Sequence, residues 1–329
     1  TASHRINPAE FPLTEEDRHQ LRVDRGLTEE SIAVARLGSV KNQADLDRLG
    51  VEACFDDLGS TLIIPFAPPN EHGLSLFQLH KRMLRGIAYP PYLVPPRDTD
   101  MVVLAESPLK ALAAYQLGFR AIGLQGILSH INRIDELADV LRMQSCGKVV
   151  ILLDTVWDIA NTTKLPADRE EPIVAHAYAV ALEARGINAV IADLPMKYVK
   201  ETISATDEKL YLRADVDEAL AAGLTVEEFQ NCIDAAQDAW NYPAPIEIKI
   251  QGLWRAKHHA ALSDAKALEK LLTTRSPTEV SKALATLAKC VRSAAYDSET
   301  RRYDSVALGI AAELLKQAFK PFAPCLTIK

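Results

Sequence analysis

The clearest structural signal in this 329-residue chain is Met101-Val102-Val103-Leu104-Ala105, followed directly by Glu106-Ser107-Pro108. Five consecutive apolar residues are typical of a strand buried on both faces, as in a parallel sheet. A helix is predicted over 109–117, with Gly118 in the position where helices commonly end. The alternation of strands and helices continues downstream, at 121–124, 131–142, 148–153, 173–185 and 189–192. This order predicts an α/β fold with a parallel sheet flanked by helices.

The composition is that of an ordinary globular protein, with 48% hydrophobic and 25% charged residues. Its net charge of −7 argues against a protein that binds nucleic acid through bulk positive charge. No apolar run approaches the roughly 20 residues of a membrane span, so we expect no membrane partner. The five cysteines are scattered without a Cys-x-x-Cys pair, which argues against disulfides and structural zinc. These features predict a cytoplasmic protein.

The chain divides into four predicted segments. Residues 1–98 form an α+β N-terminal subdomain and residues 99–224 the α/β domain. Residues 225–243 form a connecting helix with its linker, and residues 244–329 a helical C-terminal region. In the first segment, Thr14 and Thr28 each precede acidic residues, a pattern that marks helix starts. The runs 61–66 and 74–79 are rich in strand-forming residues and predict a hairpin.

The C-terminal region differs from the rest of the chain in charge. Residues 244–329 carry 14 basic and 8 acidic side chains, a net charge of +6, whereas residues 1–243 carry −13. Apolar residues at three-to-four spacing predict an all-helical region, with helices over 263–272, 278–292 and 305–319. Its basic residues suit a solvated face, a surface that contacts nucleic-acid phosphates, or an oligomerisation surface.

Two carboxylates follow predicted strands directly, Glu106 after the first and Asp154 after the third. Ligands of open α/β sheets gather at the carboxyl ends of the strands, so both residues are candidate site residues. Each acid, taken singly, also suits the start of the helix that follows it. As a pair they suggest a hard divalent cation, since Mg²⁺ prefers oxygen ligands.

The run Glu106-Ser107-Pro108-Leu109-Lys110-Ala111, with Gly118 and Gly126 downstream and Asp154 ending a later strand, resembles the toprim domain of primases, topoisomerases and certain nucleases. Upstream, 25–32, 63–66 and 92–95 are similar, in order, to the N-terminal half of a bacterial-type primase catalytic core. The resemblance covers roughly residues 13–224. It is strongest to primase-like replication proteins of phages, plasmids and other mobile elements.

The resemblance implies a site for Mg²⁺ or Mn²⁺ that involves Glu106 and Asp154, with Lys110 beside them and a second acidic patch at Asp215 and Asp217. The chain departs from the family pattern at Val156, where a second aspartate is expected. Asp158 takes the place of that aspartate if residues 154–158 form a helical turn, because residues four apart share a helix face. The candidate catalytic residues are Glu106, Lys110, Asp154 and Asp158.

A basic and aromatic cluster lies just before the α/β domain. His80, Lys81, Arg82 and Arg85 are near Tyr89 and Tyr92, so they are candidates for binding nucleotides or nucleic acid. A solvated strand end explains the same residues.

The resemblance implies a function in DNA replication. We expect a primase-like enzyme that uses magnesium for nucleotidyl transfer in primer synthesis. Its expected partners are single-stranded or duplex DNA, nucleotides and a replicative helicase. Two alternatives remain open: a catalytically weakened nucleic-acid-binding or assembly module of a mobile-element replication complex, and a toprim nuclease in defence or repair.

Overall fold

The computed structural model describes residues 5–58, 60–66, 74–80, 89–158, 170–203, 210–239 and 241–244, and a few residues further on at 248, 252, 255–256, 296–297 and 302–303. Among these residues, no helix combines the length and the apolar character that crossing a membrane requires.

The N-terminal part is a four-stranded antiparallel sheet with four helices. Its elements, in chain order, are β1 (Arg5–Ile6), α1 (Glu15–Val23), α2 (Glu29–Ala35), β2 (Gly38–Val40), α3 (Gln43–Leu49), α4 (Phe55–Leu58), β3 (Thr61–Pro65) and β4 (Ser75–Leu79). The strand order is β1-β4-β3-β2. Thr14 and Thr28 cap α1 and α2 through their side chains, and β3 pairs with β4, so both predicted helix starts and the pairing of these strands are confirmed.

From residue 101 to residue 191 the central part has the predicted order of strands and helices, with one additional strand at Thr155–Asp158. Its elements are β5 (Tyr92–Leu93), β6 (Met101–Ala105), α5 (Pro108–Gln116), β7 (Arg120–Gly123), α6 (Ile134–Met143), β8 (Lys148–Leu152), β9 (Thr155–Asp158), α7 (Glu170–Glu183), β10 (Ala189–Ile191), β11 (Lys200–Ile203), β12 (Leu210–Ala214), α8 (Val216–Ala221), α9 (Val226–Asp234) and β13 (Gln237–Asp238). Six of these strands form one sheet in the order β13-β10-β8-β6-β7-β5.

The central sheet is mixed rather than wholly parallel. The four inner strands β10, β8, β6 and β7 are parallel, whereas the edge strands β5 and β13 pair antiparallel to their neighbours. Apart from Arg120 and Lys148, which begin β7 and β8, the residues of the inner strands are uncharged and almost all buried, which is what a sheet covered on both faces requires. The protein is therefore a mixed α/β fold.

The central part also has a three-stranded antiparallel sheet, which was not predicted. It has the order β11-β12-β9. Its strand β9 begins one residue after Asp154, and the register sets Val156 opposite Arg213. Val156 is buried, so the position at which the toprim resemblance implies an aspartate belongs to a packed strand and not to an open loop.

One hydrophobic core connects the two main parts, because buried side chains of α1 and α2 belong to the same cluster as those of the central sheet. The three predicted C-terminal helices lie outside the described residues. Between the second and the third, β14 (Tyr296–Asp297) and β15 (Arg302–Tyr303) pair antiparallel, a feature that the prediction of an all-helical region did not include.

Candidate functional site

The candidate site lies at the carboxyl edge of the inner strands. The register pairs Ala105 of β6 with Leu152 of β8, so Glu106 and Asp154 emerge side by side. Ser107 caps α5 by accepting a hydrogen bond from the Lys110 backbone N at 3.4 Å. The first turn of α5 thus carries Lys110 back over Glu106, four residues earlier.

The Lys110 ammonium bridges the two predicted carboxylates. Its Nζ donates to Glu106 Oε2 at 2.8 Å and to Asp154 Oδ1, and it lies 3.8 Å from Asp215 Oδ2. The side chains of Lys110 and Asp154 are only 9% and 5% exposed. Because an unpaired buried charge is costly, the Lys110 ammonium depends on this close pairing to stay charged in the interior.

Arg213 is a second cation at this site, and it was not predicted from the sequence. Its Nε lies 3.0 Å from Asp154 Oδ2 and its Nη2 lies 2.8 Å from Asp215 Oδ2. The pairing of β12 with β9 brings Arg213 here from a position 59 residues after Asp154. The only local signal is the spacing of Arg213 and Asp215, since residues two apart on an extended chain share a face.

The predicted acidic patch joins the same cluster. Asp215 caps α8 by accepting from the Glu218 backbone N at 3.0 Å, and its side chain is 1% exposed. Asp217 is fully buried, and Arg25 Nη1 lies 2.5 Å from its Oδ2. We call Glu106, Asp154, Asp215 and Asp217, with Lys110, Arg213 and Arg25, the carboxylate cluster.

Four carboxyl groups face three cations in the carboxylate cluster, so one negative charge is in excess. Burial raises the pKa of Asp154 to about 8 and, together with a hydrogen bond to Asp215, that of Asp217 to about 7. Burial also opposes ionisation of Glu106, but the Lys110 ammonium, the hydrogen bonds from Lys110 and Asp154 and the charge of Arg213 together hold the pKa of Glu106 below its usual value. The excess charge is therefore balanced near neutral pH by a retained proton.

The remaining predicted site residues are not brought into the cluster by the described part of the chain. Residues 155–158 form β9 and not a helical turn, so the condition on which the Asp158 prediction depended is absent. At a strand rise of about 3.3 Å per residue, the backbone at 158 is about 13 Å from that at 154. The Asp158 side chain itself lies outside the described residues.

Of the basic cluster, only His80 lies within the described residues. It follows β4, and its backbone N donates to Leu62 O at 2.8 Å. Lys81, Arg82 and Arg85 lie outside them, so their binding role stays a prediction.

The donor chemistry of the cluster suits a hard divalent cation, because two carboxylates converge on one point with a third 3.8 Å from it. That point is held by the Lys110 ammonium, so a metal ion would have to displace it. Within the residues that the structure describes, no group of three or more His, Cys, Asp or Glu side chains is arranged to hold a metal ion.

Comparison of the chain with models of known protein families gives no match, and a search of curated proteins finds no significant match. The assignment of a function therefore depends on the residues and on the geometry of the carboxylate cluster.

Proposed function

We propose that this protein is a toprim-like, primase-like protein of DNA replication that acts in the cytoplasm by magnesium-dependent nucleotidyl transfer. One observation carries the proposal: Glu106 and Asp154, at the ends of neighbouring strands, converge on the single Lys110 ammonium. The buried ammonium shows that the space between these two carboxylates favours a positive charge. This space lies at the carboxyl edge of the sheet, where α/β proteins bind their ligands.

In this proposal Glu106 and Asp154 would hold Mg²⁺ or Mn²⁺ in place of the ammonium. The bound ion would stabilise the charge that develops on phosphate oxygens during in-line displacement. Lys110 moves aside and contacts a phosphate of the nucleotide. Arg213 keeps its bonds to Asp154 and Asp215 and fixes the orientation of both carboxylates.

In this proposal the nucleic acid binds to basic residues outside the carboxylate cluster. His80, Lys81, Arg82 and Arg85 would contact phosphates of the nucleotide or of the template, as their charge suits. The C-terminal region, with its net charge of +6, would hold DNA or a helicase.

A second candidate is a metal-independent nucleic-acid-binding or assembly module of a mobile-element replication complex. The observation that favours it is the pairing of Asp154 with both Lys110 and Arg213, which leaves that carboxylate already neutralised. In this candidate the cluster stabilises the fold and the basic residues bind DNA.

Calorimetric titration with Mg²⁺ and with Mn²⁺ tests the proposal on the native chain, Glu106→Gln and Asp154→Asn. Asp139→Asn is the matched control, because Asp139 is an exposed acid whose one ion pair within the described residues is with Arg142 of its own helix. Binding that both site variants abolish and the control keeps supports the metal site, provided that thermal unfolding shows the site variants to be folded.

A second assay separates the activities. Incubation with single-stranded DNA and nucleotides should give new oligonucleotides that Glu106→Gln fails to make. Shortened DNA in place of new oligonucleotides would indicate the toprim nuclease. DNA binding that is indifferent to magnesium and to Glu106→Gln, together with no metal binding, would support the assembly module instead.

A further inference from the structure

Gln125 is a buried polar residue outside the carboxylate cluster. It lies in the loop after β7 and is 9% exposed. Both polar atoms of its side-chain amide, Oε1 and Nε2, are shielded from solvent and have no hydrogen-bond partner among the described residues. An unpaired polar atom in the interior costs stability, and folded proteins rarely leave one there. Such an amide is expected where a ligand supplies the partners.

Gln125 lies beside Glu106 at the carboxyl edge of the central sheet. Gly126 N donates to Glu106 O at 3.0 Å, so the loop after β7 runs alongside the end of β6. Asp154, Glu106 and Gln125 come after the adjacent strands β8, β6 and β7. The three residues therefore form a row along this edge, at the strand spacing of about 4.8 Å.

The loop that carries Gln125 is held in place and adjoins open space. Ser129 Oγ accepts a hydrogen bond from the Gln125 backbone N at 3.1 Å and donates one to Gly126 O at 3.0 Å. A Cβ at Gly126 would meet no atom within 4 Å in the described part of the chain. The backbone at Gln125 is thus fixed, while the space next to it has room for a ligand.

The chemistry of the amide limits what can satisfy it. Since Oε1 accepts and Nε2 donates, the partner must carry a donor next to an acceptor. Phosphate and carboxylate oxygens only accept hydrogen bonds, and a metal ion would engage Oε1 alone. The edge of a nucleobase carries both groups. In adenine the N6 donor lies next to the N7 acceptor, a pair that a glutamine amide recognises with two hydrogen bonds.

We propose that Gln125 binds the adenine base of a nucleotide whose phosphates lie near Glu106 and Asp154. This inference rests on the proposed function, in which a template base pairs with the Watson–Crick edge of the nucleotide. The edge that pairing leaves free presents a donor next to an acceptor only in adenine. Rotation of the Gln125 side chain between its staggered conformations brings the amide from the interior to the base. Gln125 is then a specificity-determining residue, distinct from the carboxylates that hold the metal.

Displacement of N-methylanthraniloyl-ATP by unlabelled nucleotides in the presence of Mg²⁺ tests the proposal. 7-Deaza-ATP lacks the N7 acceptor and should bind about three- to tenfold more weakly than ATP, as expected for the loss of one hydrogen bond. ITP has an acceptor in place of the N6 donor and should bind more weakly still. Gln125→Met keeps the size of the side chain and removes both polar atoms, so this variant should bind ATP and 7-deaza-ATP equally.

Gln230→Met is the matched control, because Gln230 is a glutamine of α9 whose Nε2 donates to Asp234 Oδ1 at 2.8 Å. It should keep the native preference for ATP over 7-deaza-ATP. Thermal unfolding in EDTA without nucleotide provides a second readout. Gln125→Met should unfold at the same temperature as the native chain or above it, since it removes two unpaired polar atoms from the interior. An amide with a purely structural role would give a lower midpoint.

Equal binding of ATP and 7-deaza-ATP by the native chain would overturn the proposal. So would a preference for ATP that Gln125→Met retains, a lowered thermal midpoint in that variant, or absence of nucleotide binding, whereas the metal site is decided by the calorimetric titration. Glu106→Gln distinguishes the two proposals. If the metal holds the phosphates, this variant binds both nucleotides more weakly but keeps the preference for ATP. If it binds them like the native chain while the preference depends on Gln125, the base contact is supported and the metal-dependent function fails.

Discussion

A guanidinium nitrogen of Arg25 lies 2.5 Å from a carboxylate oxygen of Asp217, although the two residues are 192 positions apart. The turn that carries Arg25 is also held by Gln116, at the end of α5. The Gln116 side chain donates to Gly26 O at 2.8 Å and accepts from Thr28 N at 2.7 Å. Residues 25–28, which we call the docking turn, therefore connect the N-terminal part to α5 and to α8, the helices that carry Lys110 and Asp217.

Arg25→Ala should destabilise the fold, because it leaves the fully buried Asp217 without its cation. The free energy of unfolding should fall by about 2 kcal/mol. This is less than the largest losses seen when a buried ion pair is broken, since Asp217 can bind a proton in place of the guanidinium. Loss of Arg25 raises the pKa of Asp217 further above its unfolded value. Stability of the variant should therefore fall as the pH rises, and its deficit in urea unfolding should be larger at pH 9 than at pH 6.

Arg142→Ala is the matched control for this measurement, since its ion pair with Asp139 and its hydrogen bond to Arg185 O are both exposed. Its loss should be no more than about 0.5 kcal/mol and independent of pH over this range. An equal loss in the two variants would show that the Arg25–Asp217 pair contributes no more than a surface ion pair.

Gly26→Ala should destabilise the fold by more than the left-handed backbone conformation of Gly26 alone explains. Gly26 has φ +64°, and a Cβ there would lie 2.6 Å from the Ala221 backbone N of α8. Gly50 has φ +65° with no atom within 4 Å of such a Cβ, so Gly50→Ala measures the conformational cost by itself. We expect a loss of about 1 kcal/mol for Gly50→Ala and about 3 kcal/mol for Gly26→Ala in urea unfolding.

The difference between the two glycine variants isolates the contact between the docking turn and α8. If both variants lose the same free energy of unfolding, the docking turn does not pack closely against α8 in solution. We expect the native chain to be the most stable, Gly50→Ala to be less stable, and Gly26→Ala to be the least stable.

Local patterns were sufficient for the parallel strands and for the two acids that follow them. Unbroken apolar runs predicted β6 and β8, and the register of neighbouring parallel strands then brings Glu106 beside Asp154. The threonine caps of α1 and α2 were equally local signals. In each case the deciding contacts lie within a few residues or follow from the pairing of adjacent strands.

The cations of the carboxylate cluster could not be predicted in this way. Arg213 reaches Asp154 only because β9 pairs with β12, and the segment 155–158 gives no alternating pattern that would mark it as a strand. Arg25 reaches Asp217 through the docking turn. The acids of the site are therefore predictable from local sequence, whereas Arg25 and Arg213, two of the three cations that neutralise them, are not.

Asp193 should make the native state less stable at neutral pH than at pH 4. Burial raises the pKa of Asp193 to about 6, and Tyr242 Oη donates to its Oδ1 at 2.9 Å. Because the folded state binds this proton more tightly than the unfolded state, stability from this group is present below about pH 4 and is lost as the pH rises to about 6. Asp193→Asn should stabilise the protein by about 1–2 kcal/mol at pH 7 and by little at pH 4.

Urea unfolding of native chain and variant at pH 4, 5, 6 and 7 measures this dependence. The free energy of unfolding of Asp139→Asn, a change at an exposed site, should differ little from that of the native chain, and the difference should not grow from pH 4 to pH 7. A constant difference between Asp193→Asn and the native chain would contradict a raised pKa.

Lys110→Met separates the two candidate functions most directly. Without the ammonium, Glu106 and Asp154 face each other in a buried site, so the variant should unfold at a lower temperature in EDTA. If the carboxylates hold a divalent cation, Mg²⁺ replaces the missing charge and restores stability. With a dissociation constant of about 0.5 mM, 5 mM Mg²⁺ would add about 1.4 kcal/mol to the free energy of unfolding.

The same titration of Lys110→Met combined with Asp154→Asn should show no effect of Mg²⁺, because one of the two converging carboxylates is gone. Lys197→Met removes an exposed lysine that pairs with Glu228 and should respond to Mg²⁺ like the native chain. Rescue that is specific to the single Lys110→Met variant would establish that the point held by the ammonium accepts a metal ion. A destabilised Lys110→Met that Mg²⁺ leaves unchanged would mean that Lys110 is a structural counter-ion, and the metal-independent assembly module would then be the better account of the cluster.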